Sequence, residues 1–183
     1  MAVRPVRIYG DPVLRQKALA VPRVDDAVRE LIANMRDTMK AYSGVGLAAN
    51  QVGVAQRVLV VDVPLEERRR AILALVNPEI TSRSGSENGE EGCLSIPGIW
   101  EDVTRADQVQ VTGLDEHGRA IEVEASGYLA RALQHEIDHL DGILFVDRLS
   151  ALKRQFLRRQ LDDLARGEVP EGHHPSHEHG GEV

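Results

Sequence analysis

The sequence predicts an α+β fold: a mostly antiparallel β-sheet packed around one central helix, with an N-terminal helix and a C-terminal helix. Three observations carry this. Apolar residues recur at helical spacing in three separate windows. The β-branched runs all lie between the first window and the second. Two of those runs are joined by a hairpin loop, so the order does not alternate strand with helix as a parallel sheet would require.

Taken in order, Asp11-Pro12 reads as a helix start, with Asp as N-cap and Pro at the first helical position, leading one short turn to about Ala18. Asp25 and Asp26 open a longer helix in which Val28, Leu31, Ile32, Met35 and Met39 share one face, and Ser43-Gly44 ends it. Arg57 to Val63 reads as a buried strand, and Ile72 to Val76 as a second, stopped at Asn77-Pro78. Val109 and Val111, then Ile121 and Val123, alternate with polar neighbours about a hairpin loop at Asp115-Glu116-His117-Gly118. From Ser126 the period lengthens, and Leu129, Leu133, Ile137 and Leu140 form a helical stripe ending near Asp141-Gly142. After Phe145-Val146, a final helix carries Leu149, Leu152, Phe156, Leu157, Leu161 and Leu164.

The chain has 183 residues, 42% hydrophobic and 28% charged, which suits one domain with a sizeable core. Its net charge of −7 argues against a sequence-nonspecific nucleic-acid binder, so no DNA partner is expected, and weakly against an anionic membrane surface. Four glutamates and no Lys or Arg lie in residues 167–183, leaving −3 for residues 1–166. We therefore expect a single domain over 1–166 and a disordered His/Glu/Gly-rich tail over 167–183, too poor in apolar residues to offset the entropy of ordering. The tail histidines, His173, His174, His177 and His179, would at most scavenge metal weakly. One cysteine, Cys93, cannot form an intramolecular disulfide. With no signal-like segment and no apolar run near the roughly 20 residues a membrane span needs, a cytoplasmic location is expected.

Gln134-His135-Glu136-Ile137-Asp138-His139 is the decisive segment. On a helix, His135 and His139 project from one face and can hold a single metal ion, with Glu136 beside them to take a proton from water at the metal. The bland alternative is a solvent-facing helix with two histidines, which the inward stripe of Leu133, Ile137 and Leu140 disfavours. A catalytic site usually has three protein ligands. The downstream histidines sit behind a breaker-rich linker, so the thiolate of Cys93, in Glu91-Gly92-Cys93-Leu94-Ser95, is the better third ligand; alone it would read as a buried structural thiol. In Gly44-Val45-Gly46-Leu47-Ala48-Ala49-Asn50-Gln51 the small side chains let a substrate backbone lie close. Gln51 there brings an amide donor suited to an oxyanion, although a helix cap and turn explain Gly44 equally well.

Together, Gly44 to Gln51, Glu91 to Ser95 and Gln134 to Gly142 resemble the three ordered motifs of the peptide deformylases, and the similarity extends over residues 5 to 160. The resemblance implies metal ligands Cys93, His135 and His139, with Fe(II) as the physiological metal and Zn(II) or Ni(II) as alternative occupants. It implies a hydrolase that removes the N-formyl group from the formylmethionine of nascent chains, releasing formate. Glu136 would move the proton, and Gln51 with the Leu94 N–H would hold the oxyanion. Val45, Tyr128, Ala132 and the His135 ring would line the methionine pocket, with the Gly46 backbone bonding the peptide; Trp100 stands where some members carry a basic residue.

Other residues admit two readings. Asp138 is either a partner for an imidazole N–H or a solvated helix residue. Lys153, Arg154, Arg158 and Arg159 form either a solvated face or a surface for ribosomal RNA. A non-catalytic metal-binding relative is disfavoured by the presence of Glu136 and Gln51, and a zinc endopeptidase by the missing downstream ligand.

Overall fold

The computed structural model describes residues 2–173. After a 3-10 turn at Pro12–Arg15 come helix α1 (Asp26–Ala41) and strands β1 (Gly46–Ala48), β2 (Val58–Pro64), β3 (Arg70–Ser84), β4 (Glu87–Cys93), β5 (Ile96–Arg105), β6 (Gln108–Leu114) and β7 (Ala120–Ser126). Helices α2 (Gly127–Leu140) and α3 (Ala151–Ala165) follow, separated by a 3-10 turn at Phe145–Arg148. Five strands form one sheet in the order β1-β2-β3-β6-β7, and β4 and β5 pair separately. Every strand pairing is antiparallel, as the sequence predicts.

The apolar run Val58–Val61 of β2, which Asp62 separates from Val63, is explained by cover on both faces. Leu59, Val61 and Val63 meet Leu133, Ile137 and Leu140 of α2, while Val58 and Val60 meet Leu31, Ile32, Met35 and Met39 of α1. A third cluster joins Leu14, Ile96, Ile99, Val103 and Phe145 to Leu161 and Leu164 of α3. The helix starts follow the expected chemistry: Asp25 Oδ1 accepts from the Val28 N–H at 3.0 Å, a cap worth about 1 kcal/mol.

Ser43-Gly44 stops helix α1 as expected: Ser43, with φ +55°, takes the left-handed position, and the Gly44 N–H reaches back to the Met39 carbonyl. Three expectations are corrected. The first turn ends at Arg15 instead of Ala18. Strand β3 runs through Asn77-Pro78 because the register shifts there and Asn77 adopts φ +52°, so the bulge removes the need for a proline N–H. The Asn77 amide also clamps the backbone of Val21 through two hydrogen bonds of 2.8 and 2.9 Å. Finally, the apolar stripe of α3 is only partly buried: Leu152 and Phe156 are 62% and 78% exposed.

Candidate metal centre and its pocket

α2 is buried from Leu129 to Leu140, so both of its histidines lie in the interior. They meet Cys93 at the end of β4, and the ligand atoms of Cys93, His135 and His139 lie within 4.8 Å of one another. Cys93 Sγ is 3.2 Å from His139 Nε2. Gln51 reaches the same thiol from the 3-10 turn after β1. Its Oε1 accepts from the Ala48 N–H at 2.9 Å, which turns Nε2 toward Ser95 Oγ at 3.1 Å and Cys93 Sγ at 3.5 Å. Gly46 is glycine for a steric reason: a Cβ there would collide with the Glu136 carboxylate.

A cavity of about 320 Å³ opens above this cluster. Val45, Gly46, Gln51 and Leu94 line it on one side, Tyr128, Ala132, His135 and Glu136 on another, and Cys93 also borders it. His139 lies beneath, 1% exposed.

A buried ion-pair network brings β4 to α2, and it was mostly invisible in the sequence. Glu91 Oε1 meets His135 Nδ1 at 2.8 Å, leaving Nε2 as that ring's available ligand atom. The same carboxylate takes a bidentate pair from Arg105, both contacts 2.9 Å, and a further bond from Arg131 at 2.8 Å. Asp138 partners no imidazole; it accepts from Arg105 at 2.5 Å and from Arg148 at 3.0 and 2.7 Å, so neither reading drawn from the sequence holds for it. Gln134 pairs with the Ala106 backbone through both its amide groups, at 2.9 and 3.2 Å, tying α2 to the β5–β6 connection. Glu91 and Gln134 belong to the motif segments and could have been suspected; nothing in the sequence pointed to Arg105.

The electrostatics suit a cation. Burial pushes the Glu136 carboxyl up to about 7; the His135 charge opposes this and the Glu91 charge adds to it. Burial would lower His135, but hydrogen bonds to Cys93 and Glu91 outweigh it and raise its proton affinity well above the ordinary value. Burial, with the charges of His135 and Arg105, keeps His139 well below it, so that ring offers a lone pair. Glu136 Oε2 is buried and takes no hydrogen bond from the described residues. One thiolate and two imidazoles form a donor set for a transition metal, and three ligands leave a position for chemistry. The residues therefore fit a catalytic metal ion.

Residues 3–155 match the family model described as polypeptide deformylase. The peptide deformylase of Alkalilimnicola ehrlichii is 53% identical over 166 residues, 91% of this chain and 93% of its own. That of Thermodesulfovibrio yellowstonii is 48% identical over 161 residues, 88% of this chain and 98% of its own. Among solved structures, the peptide deformylase of Legionella pneumophila superposes with a TM-score of 0.82 at 45% identity, covering 91% of this chain and 98% of that one. The Ehrlichia chaffeensis enzyme in complex with actinonin gives 0.85 at 37% identity, covering 93% and 100%. With its metal-fitting cluster at the base of a cavity and this similarity along nearly its whole length, the chain belongs to the polypeptide deformylase family, hydrolases that remove the N-formyl group from nascent peptides.

Proposed function

We propose that Cys93, His135 and His139 hold Fe(II), with Zn(II) or Ni(II) as alternative occupants, in an enzyme that deformylates N-formylmethionyl nascent peptides in the cytoplasm. The observation that carries this is the convergence of the three ligand atoms with Glu136 and Gln51 at one cavity. The metal, when bound, supplies Lewis-acid activation. Glu136 accepts the proton from the attacking water and returns it to the departing amine. The Gln51 amide, already turned toward Cys93 by the Ala48 N–H, and the Leu94 backbone N–H donate to the developing oxyanion. Val45, Tyr128 and Ala132 enclose the methionine side chain, and the Gly46 backbone bonds the peptide. Arg131 does not compete for that side chain, because its guanidinium is spent on Glu91 and the carbonyls of Glu87, Gly89 and Val103.

The test is formate release from a formyl-Met peptide by protein purified without oxygen and reconstituted with Fe(II). Robust turnover is expected; none, with metal confirmed bound, would overturn the reading in favour of a non-catalytic relative.

The location and the ribosome belong to the same proposal. Among the described residues no helix is long and apolar enough to cross a membrane. On α3, Arg154, Arg158 and Arg159 are exposed beside Leu152 and Phe156, while Lys153 pairs with Glu101 at 2.9 Å. This mixed basic and apolar face suits docking to the ribosome. Cosedimentation should fall when all four cations are reversed, and an unchanged profile would remove the ribosome from the proposal.

A further inference from the structure

The two imidazoles of the cluster are held differently. His135 has the Glu91 carboxylate on Nδ1 at 2.8 Å, the kind of contact that ordinarily orients a ligating histidine. His139 presents Nε2 to Cys93 Sγ at 3.2 Å, and its Nδ1 is buried with no hydrogen-bond partner among the described residues. For His139 a side-chain grip is found instead at the backbone.

Asn50 supplies that grip. It sits in the 3-10 turn Ala49–Val52 and is fully buried. Its Nδ2 donates to the His139 carbonyl at 2.9 Å and to the Gln16 carbonyl at 3.1 Å. Two acceptors on one side leave a single orientation for the amide, with its nitrogen toward them. Its Oδ1 is buried and takes no hydrogen bond from the described residues. A buried acceptor without a donor is costly, and an apolar side chain of the same size would avoid that cost. What the amide contributes in its place is the hold on two backbones.

The position of the held carbonyl matters. His139 is the last residue but one of α2, where carbonyls run out of intrahelical donors. The Leu140 carbonyl is taken by the Ala18 N–H at 2.8 Å and by Arg57 at 3.2 Å, and the Gly142 N–H also reaches the His139 carbonyl at 3.0 Å. Asn50 differs from these donors in coming from the turn that carries Gln51. Gln51 is the next residue, with its Nε2 3.5 Å from Cys93 Sγ. One residue step thus joins the oxyanion amide to the backbone of a metal ligand.

We propose that Asn50 is a positioning residue. By holding the His139 backbone from the turn that carries Gln51, it keeps the second imidazole and the oxyanion amide in one fixed relation about Cys93. For the reaction the inference rests on the deformylase reading above; for the ligand cluster it stands on the geometry alone.

The test uses Asn50→Leu, which removes both donations at similar size, and Asn50→Thr, which keeps one donor. Three quantities are read in the full-length protein: release of Co(II) to a chelator, visible absorption of the Co(II) form, and kcat and KM for formyl-Met-Ala-Ser in the Fe(II) form. Asn50→Leu should release Co(II) about tenfold faster, shift the absorption bands, and lower kcat about tenfold with KM within about twofold of the parent. Asn50→Thr should fall between the two. Leu164→Ala, a buried truncation on α3, should lower the unfolding midpoint and leave all three readings unmoved. Release and absorption unchanged in both Asn50 variants, or moved as much by Leu164→Ala, would overturn the inference. Should Asn50→Leu fail to fold, Asn50→Thr decides on the same readings. A parent protein that binds metal yet hydrolyses no formyl peptide would overturn the deformylase reading, and the Co(II) readings would still decide whether Asn50 holds His139.

Discussion

α2 and α3 are almost the same length, 14 and 15 residues, and both carry a leucine stripe in the sequence, yet they occupy opposite environments. α2 is buried from Leu129 to Leu140, while in α3 only Leu161 and Leu164 are buried. α2 packs on the sheet with one face and meets the β4–β5 pair with the other, so its polar side chains are buried as well. Burying them is costly unless they are paired, and most have partners: Arg131 and His135 on Glu91, Gln134 on Ala106, Asp138 on Arg105 and Arg148. α3 covers the third core cluster from outside and leaves Leu152 and Phe156 in water. The comparison teaches that a leucine stripe identifies a helix and one apolar face. Whether the opposite face is solvent or a functional interior depends on what else packs there.

The contrast can be broken or sharpened by substitution, beginning with the largest effect. Glu136→Ala should lower turnover by roughly 10²–10⁴-fold, as expected for loss of a proton-transferring group, with metal content unchanged by elemental analysis. Near-normal turnover would show that the most buried polar helix carries no chemistry at that position. Glu91→Ala removes the buried carboxylate that Arg105, Arg131 and His135 share, leaving Arg131 with no counter-charge and Arg105 with Asp138 alone, and should cost about 3–5 kcal/mol in denaturant unfolding, together with weaker metal retention.

Glu91 also sets a pH dependence. Burial would raise its carboxyl, but hydrogen bonds from Arg105 and His135 win and hold it well below its ordinary 4.5. The folded form therefore keeps the charge while the unfolded chain takes up a proton. Stability should be full above pH 4.5 and fall progressively as the solution is made more acid. Glu91→Gln should flatten that acid slope, and an unaltered slope would remove Glu91 as its source.

Within the apolar stripes, Leu133→Ala in α2 should destabilise by about 2–5 kcal/mol, since that side chain is fully buried. Leu152→Ser and Phe156→Ser in α3 should each change stability by no more than about 0.5 kcal/mol and leave deformylation of free peptides unaltered. A large loss from either would mean that the exposed face of α3 is covered.

Much of this was legible because it depends on local periodicity. The helical spacing of Leu31, Met35 and Met39, the aspartate cap of α1, the Asp115–Gly118 hairpin and the His135/His139 pair all follow from neighbours within a few residues. Pro78 misled because a proline ends a strand only where its missing N–H would be needed, and the bulge at Asn77 removes that need. Leu152 and Phe156 misled because a helix can present more apolar residues than the core accepts. Strands β4 and β5, rich in Gly, Glu and Pro, show little alternation and take their structure from pairing with each other.

By itself the sequence determined the fold class, the helix that carries the two histidines, and the three segments that mark the family. Each is written in residue types at short, fixed spacings, and the geometry of a helix turn or a strand pleat converts such spacings into faces. Only the tertiary structure decided how Cys93 is brought against residues 42 and 46 positions away, that Glu91 is the partner of His135, and that Asp138 serves Arg105 and Arg148. Those contacts depend on which buried charges find each other when the β4–β5 pair closes on α2, and no spacing along the chain encodes that choice.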